Sequence, residues 1–498
     1  MRKRGPRVAL IASVALMTVF PVVEAQFEAP LVSKIQLNFA NPGGKSLAMG
    51  GAFVSLADDA TAAFSNPAGI VDQNKWTAGL SGKTFEFRPE LRTGNFYQDP
   101  NAAGFSLDGV DTYHPTDRVT DLEYVSVAGP ITKNISVAVY RAVNLRYSVD
   151  SSKDPSSPLG DYRLFSIVVG GSSDLSWSVD EQGAVDLGNE AYGASIGARF
   201  GAISVGAGVT LNRLKFDLTG GAAGPRHLFV VNRGVAGREL SVELGAEVTS
   251  PTRLGWSVGA RWEVNERYRV NVGAVYRRSP SFDVDYTARY SGGIGSFSCE
   301  GGSDTVGDPT LCGTFKLPDD YSIGVSIAPT KNLTVAIDLQ RIRYSELNES
   351  YVAFFAYRGC QDSLAPSSCS FGTSTRALAG GESDDATIPR VGAELKVPLA
   401  RTSDLFIRGG YYREPAHGTR VSLFPDANSD RVRDGETPVE IRTPVFSEAH
   451  RVAYDGGSSE DHVAFGLGAS VGSLSIDLGA DIGSTNRFVV LSAFYRFP

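Results

Sequence analysis

Much of the chain, most plainly its second half, alternates between two kinds of residue. Val463, Phe465, Leu467 and Ala469 take turns with Ala464, Gly466, Gly468 and Ser470, and Leu474, Ile476, Leu478 and Ala480 with Ser475, Asp477, Gly479 and Asp481. Tyr321, Ile323, Val325 and Ile327 stand against Ser322, Gly324 and Ser326 in the same way. A period of two sends successive side chains to opposite faces, so each run predicts a strand with one apolar face and one small or polar face. Between Val391, Ala393, Leu395 and Val397 lie Gly392, Glu394 and Lys396, a face that needs water. Trp256 and Trp262 flank Val258 and Ala260 on an apolar parity, where interfacial anchors belong.

The pattern predicts about fourteen strands, an even number as in single-chain membrane barrels. Their cores are 76–87, 119–129, 135–149, 188–199, 203–217, 254–264, 268–285, 320–329, 333–346, 387–398, 404–414, 462–471, 474–482 and 487–497. Residues 162–178 read as a further strand pair, and Val125 and Val127 share a parity with Glu123. Connections after even-numbered strands are tight, as at Pro130 to Asn134, Val264 to Arg267 and Val471 to Ser473, while most others are long. Outer-membrane barrels sort their loops this way, and a soluble sandwich has no reason to. The expected fold is all-β: a transmembrane antiparallel up-and-down β-barrel.

The start of the chain is written differently. Arg2, Lys3, Arg4 and Arg7 precede an apolar run from Val8 to Phe20, and Val23-Glu24-Ala25 offers a cleavage site before Gln26. The run is shorter than the ~20 residues of a spanning helix. Residues 1–25 are therefore read as an export signal peptide, 26–75 as a separate N-terminal unit and 76–498 as the barrel. No later stretch approaches a spanning helix, which leaves a closed barrel as the only way to reside in a membrane. Removing the signal takes four of 47 basic and one of 55 acidic residues, leaving 43 against 54 and a formal net charge of −11. That balance, without a basic stripe, excludes nucleic acid as a partner.

Residues Asn41 to Gly69, NPGGKSLAMGGAFVSLADDATAAFSNPAG, are small, helix-compatible and hinged at Gly50 and Gly51. Asn66-Pro67 reads as an N-cap followed by proline at the first helical position, and Ala68 permits close approach. A barrel of this width cannot be filled by its own side chains, and this segment is the candidate to plug it. It resembles the N-terminal hatch of the FadL/TodX-type outer-membrane transporters of long-chain fatty acids and hydrocarbons. The resemblance extends through VNVGAVYRRSPSF and FKLPDDYSIGVSIAPTKNLTVAIDLQRIRYSEL to the closing hairpin. It implies a cell outer-membrane location and passive uptake of hydrophobic molecules, with an external apolar groove, a deeper site in the barrel and a hatch whose movement opens a path. Gly50, Gly51, Asn66, Pro67 and Ala68 are its hatch and gating residues. Val489, Leu491, Ala493, Tyr495 and Phe497 give the last strand an apolar aromatic edge. This resembles the signal read by barrel-assembly machinery, displaced by one residue because Pro498 follows. The expected partners are this machinery, outer-membrane lipid and a hydrophobic small molecule, and the expected state is a monomer.

Two external connections are apolar where loops are ordinarily polar: Leu228, Phe229, Val230 and Val231 after the fifth strand, and Tyr351, Val352, Phe354, Phe355 and Tyr357 after the ninth. Such clusters mark a binding surface or pack on each other. Cys299 with Cys312 and Cys360 with Cys369 fall as local pairs within single long loops, the arrangement of disulfides in an oxidising compartment. Asp426, Asn428, Asp430, Asp434 and Glu436 space oxygen ligands as a calcium loop does, although Thr437 occupies the place of a bidentate glutamate. A solvated acidic turn is the alternative. Apart from this structural calcium no cofactor is expected. His114, His227, His417, His450 and His462 are scattered, none beside a nucleophile-elbow serine, and read as solvated polar residues; an enzyme is not expected. The competing function is an attachment or shuttle component of a secretion system, whose barrels carry a similar segment before the first strand.

Overall fold

The structure is a computed structural model. It describes residues 37, 39, 41–88, 91–98, 105–113, 116–150, 162–168, 176–224, 240–248, 251–265, 267–290, 295–298, 305–307, 312–347, 380–418, 420–422 and 457–498.

Fourteen antiparallel strands close a barrel. They are β1 (Thr77–Phe87), β2 (Asp117–Thr132), β3 (Ile135–Asp150), β4 (Ser176–Phe200), β5 (Ile203–Gly224), β6 (Thr252–Asn265) and β7 (Val270–Arg278), followed by β8 (Asp320–Ile327), β9 (Leu333–Ile342), β10 (Ala386–Ala400), β11 (Ser403–Glu414), β12 (Glu460–Val471), β13 (Leu474–Ile482) and β14 (Asn486–Arg496). Each pairs with the next, and β14 returns to β1 in a register running from Thr77 opposite Arg496 to Phe87 opposite Asn486. Closure removes every edge, which a strand in lipid requires because no water is there to satisfy a free N–H. The faces follow the sequence: Val463, Phe465 and Leu467 are at least half exposed on the outer surface, while Ala464 is buried in the lumen. Trp256 and Trp262 lie on the outer face.

Three details differ from the sequence reading. The strand expected over 268–285 is two, β7 and Ser281–Tyr290, divided at Ser279-Pro280. Proline has no N–H to give a ladder. The second piece leaves β8 and pairs instead with Leu240–Val248 and Cys312–Lys316 beyond the barrel's long-loop end. The strand expected to reach 346 stops at Ile342 and turns into a 3-10 helix over Tyr344–Leu347. The pair anticipated in 162–178 is present as Tyr162–Val168 against the first residues of β4.

Two irregularities interrupt the wall. Ser81 faces Tyr124 and Gly82 faces Leu122, so Glu123 is an extra residue, and both Glu123 and Tyr124 are buried. This bulge is why Glu123 shares a sequence parity with outward-facing Val125 and Val127 yet points inward. A second extra residue, Asn144, lies between Val143 and Leu145 in the β3–β4 pairing. Its side-chain oxygen accepts a 2.6 Å hydrogen bond from Asn189.

Residues 41–72 fold inside the barrel as α1 (Gly44–Ala48), α2 (Ala62–Ser65) and a 3-10 helix over Pro67–Asp72. Among the described residues no helix is long and apolar enough to cross a membrane.

Candidate functional site: the two halves of the lumen

The lumen parity changes character along each strand. In β5 it reads Ser204, Gly206, Gly208, Thr210, Asn212, then Leu214 and Phe216; in β1 it reads Thr77, Gly79, Ser81, Lys83, then Phe85 and Phe87. The apolar ends all lie towards the long loops. There they merge into one buried cluster with Leu145, Tyr147, Leu187, Ile342, Ile388 and Phe488, among others. Phe85 meets Phe488 edge-on at 5.8 Å, and Phe216 lies 5.7 Å from Phe315. Leu37 is buried in this chamber, where its carbonyl accepts from the Tyr344 hydroxyl and lies 3.2 Å from His417 Nε2. At the chamber's floor, Lys83 Nζ lies 4.7 Å from the ring centres of both Phe85 and Phe488 and 3.3 Å from Glu123.

The other half of the lumen is shaped to hold the N-terminal segment. Glycines on the wall admit its backbone: a Cβ on Gly410 would fall 2.2 Å from Gly50 N, one on Gly392 2.3 Å from Met49 O, and one on Gly206 2.3 Å from the Pro67 carbonyl carbon. Gly50 and Gly51 themselves have φ of 64° and 79°, a region closed to most side chains. Polar wall residues take up the orphaned backbone groups of the short helices. The N–H groups of Phe53 and Val54 both donate to Asp338 Oδ2 at 2.7 Å, and Arg390 donates to Gly50 O at 3.1 Å. Arg277 reaches the carbonyls of Phe64 and Ser65 at 3.2 and 2.7 Å, and Gly44 N donates to Ser492 Oγ at 2.6 Å. Asn66 is central to this. Its Oδ1 accepts from Ala68 N at 3.1 Å, capping the 3-10 helix, while its Nδ2 donates to Val54 O at 2.9 Å and to Ala260 O of β6 at 3.3 Å.

On the short-turn side an open polar cavity of about 240 Å³ lies beneath the segment. Lys45 Nζ sits in its lining, 2.9 Å from both Asp58 oxygens and 3.5 Å from Glu394 of β10. Arg408 of β11 completes the group, 2.7 Å from Glu394 and 2.6 Å from Asp477. Burial opposes the charge of Lys45, but Asp58 and Glu394 outweigh it and hold the ammonium well above its usual range. Burial likewise works against the Asp58 carboxylate, and Lys45 reverses the balance and lowers it. Asp59 has no such partner: burial, then the neighbouring Asp58 charge, push it up to about 6 despite hydrogen bonds from Thr61.

The family model described as Outer membrane protein transport protein (OMPP1/FadL/TodX) matches residues 28–375. The chain belongs to this family. Among solved structures, a Pseudomonas aeruginosa FadL homologue is 14% identical, with 93% of this chain and 99% of that chain covered at a TM-score of 0.55. The Ralstonia pickettii toluene transporter TbuX is 12% identical, covering 93% and 100%, at 0.50. At such identities the likeness shows the fold. No curated protein matches the sequence. Family and barrel together place this FadL/TodX-family chain in the outer membrane.

Of the residues expected to act, the structure of this family member places all five hatch residues in the lumen, but in two places: Gly50 and Gly51 against β10 and β11, and Asn66, Pro67 and Ala68 against β5 and β6. The helix that Asn66 caps is a 3-10 helix. The apolar runs Leu228–Val231 and 351–357, the acidic residues Asp426 to Glu436, and Cys299, Cys360 and Cys369 lie outside the described residues, as does the side chain of Cys312. Among the described residues no cluster of His, Cys, Asp and Glu could hold a metal. Two histidines correct the expectation of solvated side chains. His462 is fully buried, 2.8 Å from Asp481, and its ring stacks 4.3 Å from Tyr412; His417 is buried and stacked 4.1 Å from Tyr344. His462 sits on the lumen parity of β12, and that parity was the available signal. The chamber was missed for a related reason: in Asn212-Arg213-Leu214-Lys215-Phe216 the apolar parity, Leu214 and Phe216, is the buried one and the charged parity is exposed, the reverse of the rule in the wall below, and it signals an apolar lumen only once the wall's outer end is known.

Proposed function

We propose that the chain is a passive channel through which small hydrophobic molecules enter from outside, gated by the N-terminal hatch. One observation carries the reading: the outer half of the lumen is apolar and aromatic, whereas a channel for water-soluble solutes has a polar lumen throughout. A hydrophobic molecule entering that chamber leaves water, gaining about 25 cal/mol for each Å² of apolar surface buried, so uptake needs no energy source. The substrates are long-chain fatty acids or related aliphatic or aromatic hydrocarbons. Leu228, Phe229, Val230 and Val231 together with Tyr351, Phe354 and Phe355 form the first landing surface at the long-loop end.

From the chamber two routes lead on. One passes the hatch, which must shift because it fills the inner lumen. The other runs through a cavity of about 540 Å³ beside the extra residue in β3, lined by lumen-facing Leu214 and Phe216 and by outward-facing Arg213 and Lys215. That route would deliver the molecule sideways into lipid.

The test is uptake of a radiolabelled long-chain fatty acid and of a labelled aromatic hydrocarbon by cells that lack their own transporters and express this chain. Accumulation of at least one, above cells carrying an empty vector, supports the reading. Accumulation of neither, with the folded barrel present at the surface, removes it.

A further inference from the structure

The hatch is fastened to the wall in two different ways. Around most of its circumference the fasteners are dry: Asp338, Ser492 and Arg390 are all buried, and each binds hatch backbone directly. On the short-turn side the fasteners are ion pairs: Asp72 of the hatch lies against Arg199 and Arg261 of the wall, and the group around Lys45 is open to the polar cavity, with the Asp58 side chain 39% exposed. Water and ions reach this group and can compete for it, which they cannot do at the buried contacts.

The arrangement of charge makes one residue decisive. Lys45 on α1 is the cation between Asp58, with Asp59 beside it, on the hatch loop and Glu394 on the wall. Arg408 is divided between Glu394 and Asp477, and Arg261, the other cation acting on Asp58, donates to Leu56 O and Asp72. Thr61 and Tyr124, the remaining groups facing Asp59, are neutral. With Lys45 in place the loop carrying Asp58 is held against α1 and the wall. Without its ammonium, carboxylates of the loop and of the wall face one another across the cavity edge, and like charges repel.

We propose that Lys45 is a bolt on the underside of the hatch, and that parting its ammonium from Asp58 and Glu394 opens the path to the short-turn side. This rests on the channel reading above and adds to it the residue that controls release. Lys45 is a positioning residue: it acts on the hatch, not on the transported molecule.

The experiment is ion current through the full-length mature chain in planar bilayers, with folding checked by heat-modifiable migration. Lys45→Met should raise the time-averaged current about fivefold, a shift in a two-state equilibrium that loss of one partly exposed ion pair can supply. Lys45→Arg keeps the charge and reach, and should stay within about twofold of the native chain. A Lys45→Met current equal to the native one, or a Lys45→Arg current as large as that of Lys45→Met, overturns the proposal. If Lys45→Met does not fold, the native chain still decides. At about 1 M salt, where screening acts within ~3 Å, its current should exceed the rise in bulk conductivity, and a current tracking bulk conductivity alone overturns the bolt. No hydrophobic substrate enters this measurement, so a failed bolt leaves the uptake reading standing, and failed uptake leaves the bolt result readable.

Discussion

The same strands build two unlike interiors. In the outer half of the lumen, wall side chains meet one another, as Phe85 meets Phe488 and Phe87 meets Tyr147. In the inner half the wall withdraws to glycine, and the backbone of the N-terminal segment takes the vacated space, held by side chains that bind its N–H and C=O groups. Parity along a strand decides only whether a residue faces lipid or lumen. Height along the strand decides the character of the lumen residue: apolar where side chains pack on one another, small or hydrogen-bonding where the N-terminal segment is seated.

The largest effect expected from breaking this division is in the apolar half. Phe216→Ser combined with Phe488→Ser removes two buried aromatic side chains, each worth about 1.5–3 kcal/mol of transfer free energy, and puts hydroxyls in their place. Uptake of the hydrophobic tracer should fall by at least about tenfold, at 1.4 kcal/mol per decade, while ion current stays at the native level because the hatch is untouched. Loss of uptake together with a large rise in current would show that the two halves are not separable.

A smaller effect is expected in the seat. Gly409 and Gly410 are adjacent on β11 and face opposite ways. A Cβ on Gly409 meets nothing nearer than Ala464 O at 3.9 Å, whereas one on Gly410 would lie 2.2 Å from Gly50 N. Gly410→Ala should therefore cost about 1–3 kcal/mol of hatch seating, read as increased ion current, and Gly409→Ala should leave it unchanged. Equal currents from the two variants would mean that the hatch does not rest on this wall.

These contrasts show which parts of the molecule its sequence discloses. Strand faces were legible because lipid accepts only apolar side chains, so runs such as Val463 to Ala469 carry an uninterrupted period of two. The hatch was legible from its own turn chemistry, with glycine at two positive-φ positions and Asn66 before Pro67. Its seat was not. The meeting of Gly410 with Gly50, or of Asp338 with Phe53, joins residues hundreds of positions apart and depends on barrel register and closure, which no local pattern encodes. Ser279-Pro280 was hidden for the opposite reason: alternation continues across it, and only the missing proline N–H shows that the ladder must change partners.

Asn66→Ala tests a local element inside the seat. It removes the cap on Ala68 N and the bonds to Val54 O and Ala260 O together. A lost cap costs about 1 kcal/mol. The hatch should become more accessible to protease while the barrel retains its heat-resistant migration. An unchanged digestion rate would reduce Asn66 to a filler of space.

The smallest effect concerns Asp59, and its sign follows from its surroundings. With the carboxyl lifted from 3.8 to about 6 by burial and by Asp58, the folded hatch loop binds a proton that the released loop gives up more readily. A raised pKa contributes stability that is complete below about 4 and lost as pH rises through about 6. Asp58 is lowered and Lys45 raised, so neither of these charged neighbours of Asp59 changes charge in that window, and the comparison with Asp59→Asn isolates the share that belongs to Asp59. Native ion current should accordingly rise modestly between about pH 4 and 7. Asp59→Asn retains an oxygen to accept from Thr61 and removes the charge, so its current should stay flat at the level the native chain shows at its acid end. The same slope in both proteins would place the titrating group elsewhere. A slope of opposite sign would mean that the protonated carboxyl loosens the loop, and that the hydrogen bonds from Thr61 to the carboxylate outweigh the repulsion from Asp58.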